Sequence, residues 1–423
     1  MSYAGVSPVV STARQLAYPN PFFDLASTFI PPSIKMLFQF TKYFYYANST
    51  ISPIVYKLAE YPVTSTIYEK PKGGENITDA TKELWRKLME EIIHVQRLQI
   101  EINLDYYVYG NCFISISYPF VRNLECPRCK KKTAINKFKW GKGGLEWKRF
   151  QFLGPCPQCQ AEKVAFKVVD VPIRNRSQVK IIRWNPMSMD IEHNPLTGKS
   201  KYIYHILGND RKAIQLGKRD YLATTPWVFI NAVKEGGDVE LEPSNIFHFK
   251  RPSISDTDMG WGMPLILPAI KDAYYMQIMA KGQEAVMQEH IVPLRILYPN
   301  QSGDTSPFVS ANLGTWRAKV EDEIKRWRQD PNYISIMPLP VGLENVGGDA
   351  RALLITPELQ FKKQQIAEGV GVPLEFLAGG LTYSGASVSL RILENHFLTT
   401  FKFHDEFLKW LTTRLSRYFK IPD

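Results

Sequence analysis

Four of the five cysteines in this chain fall into two short pairs, Cys126-Pro127-Arg128-Cys129 and Cys156-Pro157-Gln158-Cys159, separated by 26 residues. A Cys-x-x-Cys loop presents two thiolates to one metal ion at about 2.3 Å, and two such loops complete a tetrahedral set. The proline after the first cysteine of each pair helps the loop turn its amides toward sulfur. The expected cofactor is a structural Zn(II) held by Cys126, Cys129, Cys156 and Cys159. Four thiolates leave no position open for a catalytic water. Disulfides are the competing reading, and it is the weaker one because the start, Met1-Ser2-Tyr3-Ala4, lacks the basic and apolar regions of a secretory signal. The fifth cysteine, Cys112, falls on the apolar face of an expected strand and reads as a core residue.

Between Arg122 and Lys163, Lys and Arg far outnumber Glu. Lys130-Lys131-Lys132, with Phe138, Trp140 and Trp147 nearby, could form a nucleic-acid surface. The plainer reading, which we prefer, is a solvated face that partly offsets the roughly −2 charge of a zinc tetrathiolate. The whole chain carries a net charge of +11, from 52 basic and 41 acidic residues, which permits contact with nucleic acid without establishing it. No other chemistry stands out. There is no phosphate-binding Gly-rich loop with Lys-Ser/Thr, no His-Glu-x-x-His and no nucleophile elbow, and the seven histidines are scattered. The sequence therefore reads as a non-enzyme. The longest uncharged run, Tyr106 to Val121, contains Gly, Asn and Pro and is too short to span a membrane.

The elements that carry these residues follow from periodicity. Residues 1–35 hold five prolines and few charges and read as an extended arm. Ser52-Pro53 marks a helix start. Leu84, Leu88, Ile92, Val95 and Ile102 mark one face of a helix from Asp79 to Asn103. After Gly110 the period becomes two: Cys112, Ile114, Ile116 and Tyr118 face one way, Phe113, Ser115 and Ser117 the other, as in a half-buried strand. The cysteine module then sits between a strand ending near Tyr118 and another beginning near Val164, as an insert at the edge of an α+β domain.

The last third is mainly helical. After Gly260-Trp261-Gly262-Met263-Pro264, a helix from about Leu265 to Glu289 is apolar around most of its circumference and would span about 35 Å. Such a helix is buried on several sides, and its charges exclude a membrane span, so its neighbours are protein. A second helix starts at Thr356-Pro357-Glu358, a cap followed by Pro, and ends at Gly371-Val372-Pro373-Leu374. Between them, Leu294–Tyr298 reads as a strand, Leu313, Trp316, Val320, Ile324 and Trp327 form a helical seam, and Tyr333–Met337 reads as a second strand. A stretch without charge, Ala378 to Ser387, precedes a long closing helix.

This order resembles the portal proteins of tailed double-stranded DNA bacteriophages, including their myovirus branch. The resemblance is carried by the Gly-rich lead-in Gly260–Pro264, the Gly371–Leu374 helix end and the small-residue loop before the last helix. It is also carried by Asp105-Tyr106-Tyr107-Val108-Tyr109-Gly110-Asn111 and by Asn185-Pro186-Met187-Ser188-Met189-Asp190 with Asn194, Thr197-Gly198 and Tyr202. It covers most of the chain beyond residue 100. A zinc ribbon is absent from most members of that family, so the cysteine module is a departure from the pattern.

The resemblance implies an α+β portal fold with wing, stem helices, clip and tunnel loop, plus the small four-cysteine zinc ribbon. Its divisions would be an arm at 1–35, a wing at 36–258 with the ribbon inserted at 122–163, and a first stem helix at 259–289. A clip at 290–349, a second stem helix at 350–373 and a tunnel loop at 374–387 would follow. The C-terminal long helix would occupy 388–423, with the crown reduced or absent. Subunits would meet along the stem at Ile270, Tyr274, Ile278 and Met279, and through the clip at Trp316, Val320, Ile324 and Trp327. Gly379, Gly380, Leu381, Thr382, Tyr383, Ser384 and Gly385 would face DNA in the channel. The implied assembly is a twelve-membered ring at one capsid vertex of the virion, built in the host cytoplasm. Its partners would be double-stranded DNA in transit, the terminase, a head-completion or adaptor protein, and the major capsid and scaffolding proteins. The alternative is a zinc-ribbon nucleic-acid-binding protein.

Overall fold

The computed structural model describes residues 33–63, 79–141, 143–254, 260–291, 294–299, 317–319, 321–323, 325–326, 341–346, 356–372 and 383–421. They belong to two compact units, one of residues 1–273 with 363–423 and one of residues 274–362.

The first unit opens with helices whose apolar residues recur at helical spacing. α1 (Ile34–Ala47) buries Leu37, Phe38, Thr41 and Phe44, and α2 (Ile51–Glu60) buries Ile51, Ile54, Val55 and Leu58. The Asn48 side chain accepts from the amides of Thr50 (2.9 Å) and Ile51 (3.0 Å), which starts α2 just ahead of the expected Ser52-Pro53. The helix expected from Asp79 to Asn103 is divided. α3 (Asp79–Arg86) passes into a π turn (Lys87–Ile92), His94 takes a φ of 54°, and α4 (Val95–Tyr109) restarts beyond it. A left-handed residue cannot continue a right-handed helix. No Pro or Gly stands there, so nothing in the pattern marks the break.

Gly110 closes α4 in the left-handed conformation and β1 (Asn111–Ser117) leaves at once. β2 (Phe120–Glu125), β3 (Lys132–Ala134), β4 (Glu146–Lys148), β5 (Gln151–Gly154) and β6 (Val164–Pro172) form one antiparallel sheet in the order β3-β2-β6-β5-β4. Next come β7 (Lys180–Trp184), β8 (Met189–Asn194) and β9 (Lys199–Tyr204). Helices α5 (Gly208–Gln215), α6 (Arg219–Thr224) and α7 (Trp227–Glu235) follow, then β10 (Val239–Leu241) and β11 (Ile246–Lys250). β9 lies between β8 and β10, and β1 between β7 and β11. The Asn185–Tyr202 stretch makes the expected hairpin, turning through Gly198 with Ile191 opposite Tyr202.

β1 departs from the half-buried strand that its alternation suggests. Phe113 stacks on His248 with ring centres 4.3 Å apart, and Ser115 is buried while its Oγ accepts from the Trp184 indole at 2.8 Å. A strand covered on both faces keeps polar residues only where they are paired.

α8 (Ile270–Ile291) begins after the expected Leu265, because Pro264 and Pro268 interrupt the amide ladder and Leu267–Ala269 form a 3-10 turn instead. In the second unit β12 (Leu294–Pro299) pairs antiparallel with β13 (Val341–Val346), Leu297 opposite Leu343. β13 begins at Val341, directly after Pro340 in the sequence. The expected strand Tyr333–Met337 lies outside the described residues, as do Trp316, Val320, Ile324 and Trp327, although residues beside Val320 and Ile324 are helical. α9 (Thr356–Val370) starts where the Thr-Pro-Glu signal places it.

The closing helix α10 (Tyr383–Phe419) starts inside the segment expected to be loop. Nothing from Tyr383 to Leu390 stops a helix; Gly385 near its start costs only about 1 kcal/mol relative to Ala. α10 lays Phe397, Thr400, His404, Phe407, Leu411 and Leu415 into the core at spacings of three and four. Tyr107 of α4 hydrogen-bonds Thr400 at 3.0 Å, and His404 Nε2 donates to Asn103 Oδ1 at 2.8 Å.

Candidate functional site

β2 and β5 each end where a cysteine pair begins, so the pairing of both strands with β6 brings the two loops together. The loops share one backbone design. Lys130 donates its amide to the Cys126 carbonyl at 2.8 Å and Gln160 donates to that of Cys156 at 3.0 Å. The Cys126 amide donates to Lys131 O and the Cys156 amide to Ala161 O, at 3.1 and 3.0 Å. Lys130 and Gln160 both stand at left-handed φ, 54° and 51°.

The four sulfurs lie within 4.8 Å of one another, with 3.8 Å between Cys126 and Cys159 and 3.8 Å between Cys129 and Cys156. A tetrahedron of metal–sulfur bonds of about 2.3 Å has edges of about 3.8 Å, whereas a disulfide needs about 2.05 Å. All five cysteines are free thiols. Among the described residues this is the one group of His, Cys, Asp or Glu gathered closely enough to hold a metal ion.

The electrostatics agree with a cation in the middle. Burial pushes the Cys156 thiol up, but the amides of Cys159 and Gln158 and the thiols of Cys159 and Cys126 bring it down to about 7. At Cys129 the Lys131 amide favours the thiolate, while desolvation and the other three thiols oppose it, leaving it at about 11. One thiolate thus forms readily and suppresses the next. A cation held between the loops would favour the thiolate at both Cys156 and Cys129.

The ribbon is fastened to the helices beside it by a residue that reads in sequence as one more surface cation. Arg122 is 1% exposed. Its Nε and Nη2 donate to the Asp170 carboxylate at 2.8 and 2.7 Å, Nη2 also to Thr225 O at 2.8 Å, and Nη1 to Leu222 O. The guanidinium carbon lies 5.4 Å from the ring centres of both Phe120 and Trp227. Trp147 packs on Phe152 and Trp227 and fills the space at Gly217, where an added Cβ would come within 2.6 Å of its ring. The ribbon's aromatic residues therefore belong to a core shared with α6 and α7.

A second constellation joins two stretches that carried the family resemblance. Asn111 Nδ2 donates to the carbonyls of Gly262 (2.7 Å) and Tyr109 (2.8 Å). Its Oδ1 accepts from the Gly262 amide (2.7 Å) and from His248 Nε2 (3.1 Å). The Arg251 amide donates to Gly110 O and the Leu265 amide to Tyr107 O, each at 2.9 Å. Gly110, at φ 72°, has no room for a side chain: a Cβ would sit 2.4 Å from the Met263 carbonyl carbon. Asp105–Asn111 and Gly260–Pro264 thus form one junction, from which α8 departs. Neither Arg122 nor the role of Asn111 is visible in sequence. The contact of Lys35 and His205 with Asp190, at 3.2 and 2.6 Å, is likewise hidden there.

Of the expected stem contacts, Ile270 is buried in its own chain, Met279 is half-buried, and Tyr274 and Ile278 are exposed. Gly379, Gly380, Leu381 and Thr382 lie outside the described residues. Tyr383, Ser384 and Gly385 form the start of α10, which corrects the expectation that they belong to the loop. Among the described residues no helix is long and apolar enough to cross a membrane.

No family model matches this chain, and no curated protein matches it. Among solved structures, a chain of "Neck of empty GTA particle computed with C6 symmetry" is similar at 12% identity and a TM-score of 0.45, over 93% of this chain and 83% of that one.

Proposed function

We propose that this chain is a portal protomer, a structural subunit without catalytic activity. In this reading copies of it form a twelve-fold ring at one capsid vertex, through which double-stranded DNA enters and leaves. The observation that carries the reading is the state of α8. Its apolar residues lie all around the helix, yet among the described residues its own chain buries only Ile270, Ala273 and Met276, leaving Tyr274 43% and Ile278 47% exposed. An apolar helix that its own chain does not cover is completed by neighbours. The order of elements supports the same reading: α8, a β-containing unit, α9, and the long α10. In this reading the terminase and then a head-completion protein dock on the unit between α8 and α9. In this reading the uncharged stretch Gly379 to Thr382, with the start of α10 after it, faces DNA without offering a point charge to phosphate.

The metal in this reading is one structural Zn(II) per chain, held by Cys126, Cys129, Cys156 and Cys159. It closes the two loops on each other and takes no part in a reaction. The alternative, a nucleic-acid-binding ribbon, is disfavoured by the packing of Phe138, Trp140 and Trp147 on Phe166 and Phe152, which engages the rings that would stack on bases.

Light scattering and electron microscopy of the purified chain test the proposal. The expected result is a closed ring for the wild type and its loss in Ile278→Asp, where each copy would bury an unpaired carboxylate at a cost of roughly 3 kcal/mol or more. A wild-type monomer, or an Ile278→Asp variant with normal rings, would overturn it.

A further inference from the structure

The two cysteine loops are matched in backbone and mismatched in charge. From Cys126 to Thr133 there are four Lys or Arg and no Asp or Glu, whereas over the matching span from Cys156 to Lys163 there is Lys163 alone, with Glu162 beside it. The negative charge of a metal tetrathiolate is shared by both loops. Cations needed only to offset it would stand on both sides. Most of them stand on the Cys126 side, so offsetting the thiolates is not their whole role.

The cationic loop leads directly into β3, which is an edge strand: among the described residues it pairs with β2 and with no other strand. Arg128, Lys130, Lys131, Lys132, Lys137 and Lys139 are all exposed. Their one ion pair among the described residues is the 3.8 Å contact of Lys132 with Glu125. Edge lysines keep a strand from pairing with copies of itself, since like edges repel. The same charges admit an edge of opposite sign.

We propose that β3 accepts an extended acidic segment of a partner protein as an added strand, with carboxylates of that segment meeting Lys130, Lys131 and Lys132. Main-chain pairing to the open edge would supply affinity, and the lysines would select for acid. A nucleic acid fits this surface less well. Phe138 packs edge-on against Phe166 with ring centres 5.2 Å apart, and Trp147 is engaged with Phe152 and Trp227, so these rings are held in packing contacts. Phosphate contacts alone would not use the strand edge. The inference requires a folded ribbon and is independent of whether the chain forms a ring.

The test uses the full chain and a fluorescent oligoglutamate peptide, read by anisotropy. Wild type should bind it, and the triple variant Lys130→Glu, Lys131→Glu, Lys132→Glu should bind at least about tenfold more weakly. A control reversal away from β3, Arg149→Glu with Lys163→Glu, should change binding by less than about twofold. Metal content and thermal unfolding of both variants establish that the ribbon still folds. Hydrogen exchange of the wild-type chain should slow at Lys132–Ala134 when the peptide is added. Equal losses in the two variants, absence of protection at β3, or a DNA duplex that displaces the peptide at a lower charge concentration would each overturn the proposal.

Discussion

Replacing Gly110 with Ala probes the junction from which α8 departs, and the structure sets the size of the effect. The left-handed φ of 72° costs an L-residue about 1–2 kcal/mol. The new methyl would also stand 2.4 and 2.5 Å from the carbonyl carbon and oxygen of Met263, and 2.8 Å from Gly262 O. These are backbone atoms, which cannot swing aside as a side-chain tip can, so the two segments must separate. Separation strains the two Asn111–Gly262 hydrogen bonds and the Arg251–Gly110 bond, each worth about 1 kcal/mol. The combined expectation is about 4 kcal/mol, a large fraction of the 5–15 kcal/mol typical of a domain. Gly198→Ala provides the control. Its φ of 66° imposes the same backbone cost, but nothing lies within 4 Å of the added carbon. Urea unfolding of both variants reads the difference in midpoint at constant slope. If Gly110→Ala were no less stable than Gly198→Ala, the close approach of Gly110 to Met263 would not be holding the junction.

Metal analysis should find about one zinc per chain, and Cys156→Ser should lose it; a protein with no metal and four fewer thiols would instead carry two disulfides. Arg122→Met should cost about 3–5 kcal/mol because Asp170 keeps its charge without its partner, and adding Asp170→Leu should recover much of that loss. Failure of the second change to recover stability would mean that the packing of Arg122 on Phe120 and Trp227 matters more than its charge. One buried and one half-buried group should give stability opposite slopes with pH. Burial holds the His404 imidazole down to about 4, so its contribution is complete above the ordinary value of about 6.5 and is lost as pH falls from there toward 4. Burial raises the Asp105 carboxyl to about 6, against the pull of Arg183, so its contribution is complete below about 4 and is lost as pH rises to 6. His404→Gln should therefore leave stability falling from pH 4 to 6, and Asp105→Asn should leave it rising; unchanged pH profiles of unfolding in both variants would refute these assignments.

What can be read in the sequence is local. The cysteine pairs are legible because metal-ligand spacing is a property of a short loop, and the four sulfurs do meet. The Asn185–Tyr202 hairpin and the Thr356 helix start rest on turn and cap residues, whose signals also act within a few positions. Features set by distant segments are not legible. β1 alternates as a half-buried strand does, but Tyr202 and Trp261, far along the chain, pack on Phe113 and cover its second face. The break at His94 has no breaker residue, so no local signal marks it. The start of α10 is hidden because an uncharged, Gly-containing stretch has the composition of a loop, although Tyr383 to Leu390 contains nothing that prevents a helix.

The basic surplus shows most clearly why placement must come before composition. By count, Arg122 is one of many cations around the ribbon, and Phe138, Trp140 and Trp147 stand near enough in sequence to make that region look like a nucleic-acid surface. Once placed, Arg122 is neutralised by Asp170 and turned inward, and the aromatic rings are spent on a core shared with α6 and α7. What remains exposed is a cluster without aromatics, confined to one of two otherwise equivalent loops and ending on an open strand. A charge count cannot distinguish a buried clamp from a solvent-facing edge, though the two have opposite consequences. Reversing the clamp's charge should unfold the base of the ribbon, whereas reversing the edge lysines should leave it folded and change only what binds there.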